Sequence, residues 1–327
     1  MASFELGFVL VTRHWGETRT LPRWSDIREL ALRAEAVGFD TVWLEDELLW
    51  RSQRGDALGF WDGVSMTGAV AAATSTVKVG SWVLSALHRN PGIVAKTAET
   101  LDEISGGRYV FGLGAGHTEP GQARPFGIPE DRTYSRFEEA LRIIVPLIRE
   151  GRADFQGEFH VARDLPATPR GPRPNAIPLM LAAQGPKSMR LAARHADIWS
   201  CFAETRSDLQ EFGPRIAAIE AACEEVGRDP VTIGRSAGLD YHPLEASPDP
   251  NGAWIGGPAE AIADQLRAFR DAGYSQVALF PAPATLEAIE ASAPVLELLR
   301  ADERLRRRAA VVRRAAVARR ERCGGRR

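Results

Sequence analysis

Short runs of apolar and β-branched residues alternate with longer amphipathic stretches along most of the chain. Eight runs of the first kind stand out: Phe4 to Val11, Thr41 to Leu44, Lys78 to Leu84, Tyr109 to Leu113, Ile177 to Ala182, Asp197 to Phe202, Thr232 to Ala237 and Gln276 to Phe280. Between them, helical spacing is read over Ser25 to Val37, Pro91 to Ile104, Tyr134 to Arg149, Pro186 to Arg194, Ser207 to Val226, Pro258 to Ala272 and Leu286 to Arg300. The helices carry start and stop signals. Ser25 is placed to cap one, Gly38, Gly227 and Gly273 follow three ends, and Pro91 and Pro258 suit first turns. A strand followed by a helix, repeated about eight times, predicts a (β/α)8 barrel of the α/β class. A doubly wound open sheet is the alternative, but Arg13, His14, Trp15 and Gly16 follow the first strand where a nucleotide fingerprint would stand.

Three stretches depart from the alternation. Gly151 to Ala176 carries Pro166, Pro169, Pro172 and Pro174 and reads as an insertion loop between the fourth helix and the fifth strand. Pro243 to Pro258 is a shorter Pro- and Asp-rich loop. Beyond Ala301 the chain becomes RLRRRAAVVRRAAVARRERCGGRR, a helical extension fraying into a basic end or a surface for a polyanion or partner. Residues 1–300 are thus expected to form one barrel domain, with 151–176 as its insertion and 301–327 as a basic C-terminal tail.

Composition sets limits on this picture. With 327 residues, 44% hydrophobic and 26% charged, the chain can bury a large core. A net charge of -2 gives no reason to expect nucleic acid or an anionic membrane as partner. Cys201, Cys223 and Cys323 show neither disulfide nor zinc spacing. No basic leader precedes an apolar run at Met1 to Val11, and no apolar stretch is long enough to cross a membrane, so a cytoplasmic protein is expected.

In such a barrel the chemistry lies after the C-terminal strand ends. Those ends supply Arg13, His14 and Trp15; Glu45, Asp46 and Glu47; Ser85, His88, Arg89 and Asn90; Gly112, Gly114, Gly116, His117 and Glu119; Ala183 to Pro186; Cys201 and Glu204; and Asp240, Tyr241 and His242. Each alone is ordinary, and their shared address is the signal. No spacing gathers metal ligands, so no metal is assigned. Hydrolysis is also disfavoured, since no GxSxG elbow is present and Cys201 lacks a readable base. GLGAG can serve as a bare-backbone wall beside a flat ring or phosphate. AAQGPKS opens a helix whose N-terminal amides favour an anion.

The run RNPGIVAKTAETLDEISGGRYVFGLGAG, with AEAVGFDTVWLED, RFEEAL, IPLMLAAQGPKSMRLAARHADIWS and GGPAEAIADQLRAFRDAGYSQVAL, resembles the luciferase-like flavin-dependent oxidoreductases. These are (β/α)8 barrels that use FMN or the deazaflavin coenzyme F420. The resemblance extends from Phe4 to about Arg300.

The resemblance implies roles. Ser81 and Trp82 match a non-prolyl cis bond that bulges toward the cofactor ring, placed here at Ser81–Trp82. Asp46 matches an acidic residue near that ring. Gly114, Ala115 and Gly116 match a loop around the phosphate-bearing tail, and Gln184, Gly185, Pro186 and Lys187 match a second phosphate contact. Glu47 and His117 occupy the positions of an acid/base pair and are the candidate catalytic residues. Relative to the family's deazaflavin sugar-phosphate dehydrogenases, that pair is exchanged in place. The implied activity is hydride transfer between F420 and a small organic substrate. An FMN-dependent two-component monooxygenase supplied by a separate flavin or F420 reductase is the alternative, a non-catalytic binding protein a third reading, and a homodimer the implied assembly.

Overall fold

The computed structural model describes residues 4–14, 20–51, 55–116, 122–244 and 254–306. Eight parallel strands close on themselves: β1 (Glu5–Leu10), β2 (Thr41–Leu44), β3 (Lys78–Ser81), β4 (Tyr109–Gly114), β5 (Leu179–Ala182), β6 (Ile198–Phe202), β7 (Gly234–His242) and β8 (Gln276–Pro281). The seam is shut by β1 lying in parallel between β8 (Glu5↔Gln276) and β2 (Gly7↔Thr41), while β4 pairs with β5 (Phe111↔Leu179). The open-sheet alternative is thereby excluded. Helices α1 (Trp24–Val37), α2 (Gly63–Ala73), α3 (Pro91–Ile104), α4 (Thr133–Glu150), α5 (Pro186–His195), α6 (Leu209–Glu225), α7 (Ala259–Asp271) and α8 (Leu286–Ala291) follow the strands in turn. Among the described residues no helix is long and apolar enough to cross a membrane.

Continuous apolar strands arise because both strand faces are covered. The outward face of β4, with Tyr109, Phe111 and Leu113, joins the large core under the helices. The inward alternation builds a second, smaller cluster of Val9, Trp43, Val110, Met180 and Ala278, with Trp82 and Phe280 packed on it. Glycine makes room for Trp43 there. A Cβ on Gly7 or Gly80 would stand 2.1 Å from its indole.

Local rules fix the helix ends. The Asn90 carboxamide accepts the Gly92 amide at 2.9 Å and Pro91 fills the first turn of α3. At α1 the sequence expectation fails. Arg23, not Ser25, stands at the N-cap, where its amide donates to Asp26 at 2.9 Å. Pro258 caps α7 rather than opening its first turn. Gly38 ends α1 with φ of 100°, a left-handed turn that glycine adopts at little cost.

The stretch between α4 and β5 is not a bare loop. It contains an antiparallel hairpin, Arg152–Gln156 with Val161–Pro166, tied down on two sides. Glu139 of α4 accepts the amides of Glu158, Phe159 and His160 at 2.8, 2.8 and 3.0 Å. Downstream, Arg170 pairs with buried Glu99 at 2.7 Å and Arg173 pairs with buried Asp102, both acids on α3. The expected last helix is broken at Ser292. There α8 ends, and a new helix covers 293–306 within the described residues. Most of the expected basic tail, 307–327, lies outside the described residues.

Candidate active site

Three consecutive acids follow β2, two of them paired with different arginines and the third buried apart. Glu45 keeps the inward parity of Trp43 and meets Arg13 Nε at 3.4 Å. The Arg13 guanidinium lies 4.3 Å from the Trp50 ring centre and 5.9 Å from that of Phe60. Those rings are brought to the mouth by a hairpin, Leu49–Arg51 with Ala57–Gly59, docked on Arg13 through a bridge to Phe60. Asp46 turns outward and is held by Arg89 through Nη1–Oδ2 at 2.6 Å and Nη2–Oδ1 at 2.9 Å. It also accepts the Ser85 amide at 3.0 Å, with His88 Nδ1 3.5 Å away.

Glu47 is the third. Its Oε2 is buried and makes no hydrogen bond with the described residues. Burial pushes the Glu47 carboxyl up to about 7, with the Gln122 side chain and the charge of His88 opposing and the charges of Glu45 and Asp46 adding. Burial also raises Glu45, against the pull of Arg13, and raises Asp240 on β7, where Arg13 again opposes. Cys201 is pushed up to about 12 by burial, which leaves its thiol protonated at neutral pH.

The floor below these acids is aromatic. Trp82 meets Trp43 edge-on at 5.4 Å between ring centres and Phe280 at 6.2 Å, and Phe280 meets Phe202 at 4.8 Å. The non-prolyl cis bond is Trp82–Val83, one residue beyond the expected Ser81–Trp82. Around it the predicted strand is in two pieces, with pairing over Lys78–Ser81 and again over Leu84–Ser85. The Ser81 hydroxyl faces away from the lumen, 2.9 Å from the buried Tyr109 hydroxyl.

Beside this floor runs a bare backbone. A Cβ on Gly112 would fall 1.9 Å from the Ser81 carbonyl oxygen, and one on Gly114 2.8 Å from Val83 Cγ2. Gly116 has φ of 138°, open to glycine but strained for other residues. Ala115 leads from this wall to a cavity of about 250 Å3, also lined by Leu87, Asn90, Pro129, Arg136 and His160. Gly185 caps α5, Pro186 starts it, and Lys187 Nζ lies 5.4 Å from the Tyr134 ring centre. Gln184 is exposed, its Nε2 reaching the Phe202 carbonyl at 3.3 Å. A glycine wall, an aromatic floor and free amides at a helix start fit a flat cofactor with an anionic tail.

Asp46, Glu47, Trp82 and Gly114 to Gly116 are therefore set around one strand-end face, with Gln184 to Lys187 at the start of α5. His117 and Glu119 lie outside the described residues. Sequence reasoning gave no role to Arg13, Glu45, Arg89 or Asp240. Parity along β2 was the available signal for Glu45, whereas the Asp46–Arg89 contact bridges 43 positions without a local cue.

Residues 4–245 match the family model described as luciferase-like monooxygenase. The chain belongs to that family. Over 181 residues it is 35% identical to an F420-dependent glucose-6-phosphate dehydrogenase of Beutenbergia cavernae, which covers 54% of this chain and 52% of the relative. Over 178 residues it is 32% identical to the pyrimidine monooxygenase RutA of Cronobacter sakazakii, covering 52% of each. The chain thus spans about half the length of these curated relatives. Among solved structures, an F420-dependent secondary alcohol dehydrogenase in complex with an F420-acetone adduct superposes with a TM-score of 0.74 at 21% identity, covering 90% of this chain and 98% of that one. The likeness to that structure is one of fold.

Proposed function

We propose that the protein is an F420-dependent oxidoreductase that moves a hydride between the deazaflavin ring and a small organic substrate. The observation that carries this reading is Glu47, a carboxyl at the barrel mouth whose Oε2 is buried without a hydrogen bond to the described residues and which burial pushes up to about 7. A bound deazaflavin supplies a carbon that takes or returns a hydride. The matching proton must come from or go to the protein, and a group titrating near neutrality does this with least bias in either direction. Glu47 holds that proton, and the unpaired Oε2 is the atom that receives it. Trp82 and the Gly112 to Gly116 backbone would seat the ring, and Gly185 to Lys187 would receive the tail's phosphate. His117 is the second proton carrier in this scheme.

The names of the relatives support the choice of cofactor, since glucose-6-phosphate dehydrogenases from several organisms and a hydroxymycolic acid dehydrogenase are all called F420-dependent. The pyrimidine monooxygenase relative supports the second reading, an FMN-dependent monooxygenase served by a separate reductase. Fluorescence titration of the purified chain with F420 and with FMN separates the two. Saturable quenching of F420 at micromolar concentration supports the first, and tight FMN binding without F420 binding rejects it. A homodimer in the cytoplasm belongs to the same proposal, and sedimentation tests the dimer.

A further inference from the structure

Above the aromatic floor the Arg13 guanidinium meets the Glu45 carboxyl, and a second acid, Asp240, stands within reach of the same positive charge. Glu45 contacts Arg13 Nε at 3.4 Å, and Asp240, in register with Phe280 on the neighbouring strand, opposes the same positive charge. Both acids are set deep enough for burial to work against their ionisation, and Arg13 works in favour of it. Five rings surround this cluster: Trp50 and Phe60 on the hairpin, Trp82, Phe202 and Phe280 on the floor. Gly238 allows the floor to close, because a Cβ there would stand 2.8 Å from Phe202 and 3.0 Å from Trp82.

We propose that this lumen is the substrate site, that it takes a neutral hydrophobic or ring-bearing alcohol or carbonyl compound, and that Glu45 and Asp240 make it reject anions such as sugar phosphates. Flat rings give a neutral hydrophobic body a stacking surface. A hydroxyl can donate to either carboxylate, and a carbonyl oxygen can accept from a guanidinium. An anionic substituent instead brings a negative charge beside two acids that already look to one cation, which sets it against their ionisation. Selectivity of this kind comes from the repulsive element. The choice of reaction rests on the F420 reading, but the choice of substrate charge does not.

The test uses three probes titrated calorimetrically into the full chain, once loaded with F420 and once with FMN. 1-Phenylethanol is neutral, mandelate has the same ring and hydroxyl with a carboxylate in place of the methyl, and glucose 6-phosphate is the sugar phosphate. The expected result is binding of 1-phenylethanol, mandelate weaker by about tenfold or more, and no heat from glucose 6-phosphate. In Glu45→Gln/Asp240→Asn the gap between mandelate and 1-phenylethanol should narrow about tenfold or more. Should the double variant not fold, Glu45→Gln alone is expected to narrow it in the same direction. Mandelate or glucose 6-phosphate binding as tightly as 1-phenylethanol overturns the proposal, and so does failure of 1-phenylethanol to bind either loaded form. Failure of the F420 reading appears separately, as loss of F420 quenching while the probe order persists in the FMN-loaded protein.

Discussion

The Arg89 guanidinium grips the Asp46 carboxylate with two N–H donors, at 2.6 and 2.9 Å, and thereby joins the end of the β3–α3 loop, one residue before the α3 cap, to the end of β2. Asp46 is buried to 4% exposure, so its charge has little water to fall back on. Removing one partner from such a pair leaves the other desolvated and uncompensated. Arg89→Ala is expected to cost about 3 kcal/mol, read as a lower urea midpoint. Adding Asp46→Asn should recover part of that loss, because the stranded charge is then gone. A double variant less stable than Arg89→Ala alone would contradict the pairing.

Glu47 gives the fold a pH dependence of defined sign. Its carboxyl titrates at about 7 in the folded protein against 4.5 ordinarily. Between those values the folded state keeps a proton that the unfolded chain has lost, so raising the pH through this window weakens the fold. Glu47→Gln removes the effect. The variant should be more stable than the parent above pH 7, by up to about 3 kcal/mol, and converge with it below about pH 5. Oxidation of substrate should rise with pH with a midpoint near 7 in the parent and lose that step in the variant.

The barrel strands were legible because strands covered on both faces read as unbroken apolar runs. α2 was not, since GVSMTGAVAAA is small or apolar all round and offers no polar face to set a helical period. The hairpins were obscured for another reason. Leu49–Arg51 and Ala57–Gly59 are three residues each, too short for alternation to register, and prolines masked Val161–Pro166. That the glycine loop, the acids after β2 and Trp82 lie at the strand-end face could be read from sequence. Their partners could not, because Arg89 with Asp46 and Arg13 with Glu45 meet only when distant strands close.

Glycine is a packing requirement at Gly112 in the wall and a conformational one at Gly127, which lies outside it. Gly112→Ala would press a methyl against the Ser81 backbone carbonyl, which cannot rotate away as a side chain can. Overpacking of this kind costs about 1–3 kcal/mol, and the upper end is expected here. Gly127, with φ of 72° and nothing within 4 Å of a built Cβ, has only strain to lose. Gly127→Ala should cost about 1 kcal/mol. Thermal melts of the two variants give the ranking, and equal losses would count against a wall set by contact.

At the tip of the hairpin between α4 and β5 three amides converge on one carboxylate of α4, and Arg132 pairs with Glu158 at 2.8 Å beside them, an anchor separable from the core. Burial acts to raise Glu139, but the amides of Phe159, Glu158 and His160 outweigh it and hold the carboxyl below its usual range. The anchor is therefore present at neutral pH and lost as pH falls and Glu139 takes up a proton. Arg132 and Arg136 each lie 4.4 Å from the Phe159 ring and keep the tip near α4 by a contact that does not titrate. In Glu139→Ala, hydrogen exchange at the amides of 158–160 should accelerate about tenfold or more, while β4 and β5 keep their protection. The melting temperature should fall by no more than about 3 °C, since the hairpin opens locally and the barrel core is untouched. Loss of protection across β4 and β5 together with the tip would show instead that the hairpin is part of the cooperative core.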